Sequence, residues 1–127
     1  MERDQLAEIE RASEVVENRR HPRFKLEVDF RVYPRNASVV RGYSVDLSES
    51  GISAMLRDEV PIGEVVRLEF ELPFGAVEVQ ATVRQRSAFR YGFQFVESSA
   101  ALEVIARTCR QLQLEQTLRE DRIPTKI

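Results

Sequence analysis

The sequence predicts a mainly β fold: a six-stranded antiparallel barrel flanked by an N-terminal and a C-terminal helix. Three observations carry that expectation. The chain has 127 residues and 14.7 kDa, enough for a single hydrophobic core. From Phe24 onward short runs alternate apolar and polar residues with period two, and turn signals such as Pro61-Ile62-Gly63 and Pro73-Phe74-Gly75 separate them. Hydrophobic residues make up 43% and charged residues 31%, a globular balance and not that of a disordered chain.

Residues 2–17 contain no Gly or Pro, and Leu6, Ile9 and Val16, with Ala12 between them, fall on one weak helical stripe. This predicts a short N-terminal helix over 1–17, ended by Asn18-Arg19-Arg20-His21-Pro22, where Pro22 biases its predecessor away from helical torsions. In the first strand Phe24, Leu26, Val28, Phe30 and Val32 share one face, and Lys25, Glu27, Asp29 and Arg31 the other. Further runs follow at 39–47, 51–57, 65–72, 76–86 and 90–96. Ser98 or Ser99 is placed to cap a final helix through Leu118, with Glu103 in its first turn and the stripe Leu102, Ile105, Cys109 and Leu112 facing the barrel. A second stripe of Ala101, Val104, Thr108 and Leu114 leaves a helix-mediated homodimer open. The domain is thus expected over 18–118, after a helical extension at 1–17 and before a mobile tail at 119–127.

Charge and cysteine usage exclude several function classes. With 19 basic and 21 acidic residues the net charge is −2, which argues against duplex DNA held by overall positive charge, so an anion site must be local. Of the basic residues only Lys25 and Lys126 are lysine; the rest are arginines, whose planar forks suit phosphates and guanine edges. Cys109 and His21 are the only residues of their types, so neither a disulfide nor a Cys/His metal site is expected. No stretch is apolar enough for a membrane span or a signal peptide, and the sequence reads as cytoplasmic.

Two clusters carry chemistry: Arg19-Arg20-His21-Pro22-Arg23 before the first strand, and Asp46-Leu47-Ser48-Glu49-Ser50-Gly51 between the second and third. Arg-x-x-x-Arg arises by chance about twice in a chain this rich in arginine. It occurs at 19/23, 31/35 and 86/90. The pattern Asp/Asn-x-Ser-x-x-Gly has a chance expectation of only ~0.05. Either cluster alone is explained by a solvated loop or by ordinary turn chemistry, with Asp as turn former and Gly as its left-handed residue. Their occurrence in order, on a chain that otherwise reads as a barrel plus helix, resembles the PilZ domain family, and Gly92-Phe93-Gln94-Phe95 resembles that family's last strand. The likeness covers about residues 18–112.

The resemblance implies a six-stranded PilZ-type barrel and a bacterial receptor for cyclic di-GMP, with Arg19, Arg23, Asp46, Ser48 and Gly51 at the five signature positions and Arg20 as a third guanidinium. The chemistry is compatible: the ligand carries two phosphate charges and two guanines, and one arginine fork fits guanine O6 and N7. Arg20 is suited to stack on a base or meet a phosphate. Asp46 is able to accept from guanine N1 and N2 or to orient a neighbouring arginine, Ser48 both donates and accepts, and Gly51 permits close backbone approach or a positive φ. One nucleotide or an intercalated pair fits the number of arginines.

The resemblance also implies action through an unidentified protein partner, in motility, surface attachment and biofilm, or exopolysaccharide control. The alternative from another class is a non-binding adaptor of the same fold that works through helix-mediated oligomerisation or docking. No catalytic residue, metal or cofactor is expected, since no Ser/His/Asp or Cys/His arrangement and no Gly-rich phosphate loop occurs. RNA binding is disfavoured by the acidic pI of about 5.6 and the lack of an aromatic platform.

Overall fold

A computed structural model describes residues 21–96 and 100–122. Among these residues are seven strands and one helix: β1 (Phe24–Lys25), β2 (Asp29–Tyr33), β3 (Val40–Leu47), β4 (Gly51–Leu56), β5 (Val65–Leu72), β6 (Gly75–Ser87), β7 (Arg90–Phe95) and α1 (Ala100–Arg122). Six strands form the antiparallel ring β3-β2-β5-β6-β7-β4, closed by pairing of β4 with β3, and β1 adds to the distal end of β3. The predicted barrel is present. The helix expected over 1–17 and the capping serines Ser98 and Ser99 lie outside the described residues.

Period-two alternation builds the core as the sequence pattern requires. Phe30, Val32, Leu68, Phe70, Val77, Val79, Val83 and Phe93 all point inward and are buried. At the centre the ring of Phe30 stacks on Phe70 at 5.5 Å and meets Phe93 at 5.6 Å. Tyr91 is fully buried, and its hydroxyl accepts a hydrogen bond from the Val60 amide at 3.2 Å, so its polar atom is satisfied inside the core.

The first predicted strand, 24–32, is not continuous. Phe24 and Lys25 pair with Leu47 and Asp46, whereas Asp29 pairs with Tyr43, so the first strand carries one residue more than β3 between these pairs. The buried Ser44 occupies the irregularity: its hydroxyl accepts from the Val28 amide at 2.9 Å and donates to the Leu26 carbonyl. These bonds satisfy backbone groups that the ladder leaves unpaired. The inward alternation survives, with Phe24 and Phe30 buried and Leu26 and Val28 half-buried.

Helix α1 lies against β6 and touches β1 and β5. It buries Ile105 and Cys109 and half-buries Leu102 and Leu112, the stripe expected from the sequence. The Arg107 guanidinium sits 4.9 Å from the centre of the Phe74 ring and fixes the flank of the helix to the β5–β6 turn. The helix runs past the expected end at Leu118 to Arg122, because neither Gly nor Pro interrupts it before Pro124. Residues 123–127 of the expected tail lie outside the described residues. No described helix is long and apolar enough to cross a membrane.

Burial pushes the Cys109 thiol up to about 12, with the Glu49 carboxylate adding to the effect. The folded chain therefore favours the neutral thiol. This contribution to stability is complete below the unfolded thiol value and is lost as pH rises from there towards 12. Between pH 7.5 and 10.5, urea unfolding of the wild type is expected to lose about 2 kcal/mol more than Cys109→Ala does. Equal pH dependence of the two proteins would contradict this.

Candidate functional site

A bulge creates the site. Along β3, Ser44 and Leu47 both point inward although an odd number of positions separates them, because the register against β4 slips at Val45: Ser44 faces Ala54, but Asp46 faces Ser53. Unbroken alternation would bury Asp46 beside Ser44. The extra residue turns its carboxylate outward instead, as bulges beside functional sites commonly do.

Asp46 there becomes the acceptor for three donors. Its Oδ1 accepts from Arg23 Nη1 at 3.1 Å and from Ser53 Oγ at 2.7 Å, and its Oδ2 accepts from Arg90 Nη2 at 3.1 Å. Arg90 Nη2 also reaches Ser53 Oγ at 3.4 Å. The carboxylate is 15% exposed while the two arginine side chains are about half exposed, so one shielded anion holds two guanidinia with further donor edges facing solvent. The three residues come from the segment before β1, from β3 and from β7. The closed ring brings them together because β4 pairs with both β3 and β7.

They border an open cavity of about 640 Å³ along the neighbouring strands β4, β7 and β6, whose wall also carries Arg84, Gln85, Arg86 and Gly92. A second bulge, at Arg84, shifts the β6 register against β7 beside this cavity. Arg86 pairs with Glu59 at 3.1 Å, and its Nε donates to the carbonyl of Ala88, which holds a positive φ of 57° in the hairpin turn. Four arginines thus line the cavity against one lining carboxylate, Asp46, a local positive field on an acidic chain.

The structure separates the expected site residues. Arg23 and Asp46 are brought together. Ser48 is buried and serves the β3–β4 turn: its hydroxyl accepts from the Ser50 and Gly51 amides at 3.2 and 3.1 Å, and its amide donates to the Gly51 carbonyl at 2.9 Å. Gly51 does not hold a positive φ. A Cβ there would lie 2.3 Å from the Phe93 carbonyl oxygen, so glycine is required for close approach of β4 and β7. Arg19 and Arg20 lie outside the described residues.

Sequence reasoning missed Arg90 and Ser53. Arg90 ends the third Arg-x-x-x-Arg occurrence, 86/90, which chance already accounts for. Only the strand pairings reveal that it meets the same carboxylate as Arg23.

Comparison with known proteins gives one consistent picture. The PilZ domain family model matches residues 17–111. An uncharacterized protein of Aquifex aeolicus is 34% identical over 116 residues, covering 85% of this chain and 57% of that protein. The chain thus spans little more than half the length of this curated relative. Among solved structures, the PilZ domain with c-di-GMP of YcgR from Escherichia coli superposes with a TM-score of 0.63 at 18% identity, over 82% of this chain and 98% of that one. The Bacillus subtilis inhibitor of motility (MotI/DgrA) gives 0.65 at 21% identity, over 76% of this chain and 51% of that one. With the family match spanning most of the chain and the same barrel in its structural neighbours, this chain belongs to the PilZ domain family.

Proposed function

We propose that the chain is a cyclic di-GMP receptor whose nucleotide binds at the Arg23–Asp46–Arg90 cluster. The observation that carries this reading is the single shielded carboxylate that orients guanidinia from two separate elements at the mouth of a cationic cavity. Such a clamp presents planar donor forks at fixed positions, which suits two phosphates and the O6/N7 edge of guanine. The c-di-GMP in the related YcgR domain supports the choice of nucleotide.

Asp46 acts in this reading mainly as an orienter of arginines, since both of its oxygens already accept guanidinium donors. Ser48 and Gly51 contribute by shaping the turn and the β4–β7 approach. Arg19 and Arg20 precede Arg23 closely enough to add donors to the same nucleotide or to a second one stacked on it. The protein is a ligand-binding receptor and not an enzyme. It works in the cytoplasm by changing the surface it offers to a protein partner, and the motility role named for MotI supports a partner of that kind.

A thermal-shift comparison tests the reading. Cyclic di-GMP at 100-fold excess over its dissociation constant stabilises by about 2.7 kcal/mol and should raise the melting temperature by several degrees. GTP and cyclic di-AMP at equal concentration should leave it near the unliganded value. An unchanged melting temperature with all three nucleotides would favour the non-binding adaptor.

A further inference from the structure

A second cavity, of about 760 Å³, opens on the outer face of β2, β3 and β4, beyond the nucleotide cluster. Its wall contains an arrangement that strand pairing alone disfavours. Arg31 and Arg41 face each other in register, and Arg57, just past the end of β4, donates its amide to the Arg41 carbonyl at 2.9 Å, so a third arginine stands beside the pair. Like charges directly opposite are destabilising. Arg31 is compensated by Glu69 at 3.3 Å, but among the described residues Arg41 and Arg57 meet no carboxylate. Beside them Tyr43 and Phe89 are 46% and 45% exposed, and Met55 joins them in the lining. The surface thus sets two arginines that hold no salt bridge among the described residues, Arg41 and Arg57, beside apolar area, while Glu27 and Asp29 line the side of the groove towards β2.

The chain carries a segment of matching chemistry. Residues 1–17 hold six acidic side chains against Arg3 and Arg11, and Leu6, Ile9 and Val16 recur at the spacing of one helical stripe. They are joined through Asn18–Pro22 to Arg23, whose partner Asp46 lies on the same strand as Arg41 and Tyr43. A short tether of this kind gives an effective local concentration in the millimolar range, so modest complementarity suffices for occupancy.

We propose that the acidic N-terminal segment, residues 1–17, docks in the groove lined by Arg41, Tyr43, Met55, Arg57 and Phe89 of its own chain. Its carboxylates meet Arg41 and Arg57, and its apolar stripe covers Tyr43, Met55 and Phe89. The docking does not depend on nucleotide.

The test uses the full chain carrying Ser13→Cys with Cys109→Ala, labelled with a nitroxide at position 13 and measured without nucleotide. The amide signals of Gly42, Tyr43, Arg57 and Phe89 are expected to lose more than half their intensity relative to the reduced label, and those of Glu71 and Gly75 to change little. Adding Arg41→Glu and Arg57→Glu should restore the groove signals, as should 0.5 M salt in part. Arg41→Gln with Arg57→Gln gives the same reading should the charge reversal disturb the fold. Groove signals unaffected by the label, or broadening unchanged by both double variants, would overturn the proposal. Equal broadening of an unlabelled protein mixed with a labelled one would overturn it in favour of a second copy's segment.

Discussion

Asp46→Ala is expected to weaken binding of cyclic di-GMP by at least about 100-fold while changing the folding stability by no more than about 1 kcal/mol. The carboxylate is the common acceptor for Arg23, Arg90 and Ser53, so its removal frees both guanidinia from their fixed positions. The affinity loss is large because a clamp that must be reassembled on binding no longer supplies preorganised charge. The stability change is small because both arginines are about half exposed, and exposed ion pairs contribute little. Asp46→Asn should fall between, since an amide oxygen still accepts but carries no charge. Calorimetric titration gives the affinity and urea unfolding the stability. A variant that unfolds, or one that binds as the wild type does, would contradict the assigned role.

The largest effect on folding is expected at a different position. Gly42→Ala should destabilise the chain by at least about 3 kcal/mol. Gly42 pairs with Phe30 on one side and Leu56 on the other, and a Cβ there would lie 1.9 Å from the Met55 carbonyl oxygen and 3.0 Å from the Leu56 Cα. These are backbone atoms of β4, which cannot swing aside as a side chain can, so the pairing that closes the ring must part. Gly92→Ala is the control: its Cβ would meet only the Gln85 side chain at 3.6 Å, an ordinary contact. It should cost less than about 1 kcal/mol. Urea denaturation of both variants decides the matter; similar midpoints would show that β3 and β4 can separate without loss.

The architecture was legible because one face of nearly every strand is apolar, as in Val77, Val79, Ala81 and Val83 of β6, and a buried face leaves the period-two pattern visible. What remained hidden were places where a single residue breaks that period. Nothing in Val45-Asp46 marks a bulge, yet it turns Asp46 from the core side to the surface. The same holds for Ser44, whose buried hydroxyl divides the first strand in two. Of the candidate site, Arg23 and Asp46 were legible because two sparse motifs fell in order on one chain. Arg90 was not, since its contact with Asp46 depends on β7 and β3 both pairing with β4, a relation that no local spacing encodes. Ser48 and Gly51 belong to the motif, but their hydrogen bonds and contacts are those of a turn and a tight strand approach.

Isothermal titration of the full chain with cyclic di-GMP, run beside Arg23→Ala and Arg31→Ala, tests the proposed receptor most directly. Arg31 begins the Arg-x-x-x-Arg occurrence at 31/35 and pairs with Glu69 away from the cluster, so it controls for the loss of one positive charge. Saturable binding by the wild type and by Arg31→Ala is the expected result, with a stoichiometry of one or two nucleotides per chain and loss of binding in Arg23→Ala. Equal affinity in all three proteins, or no heat from a folded wild type, would contradict it.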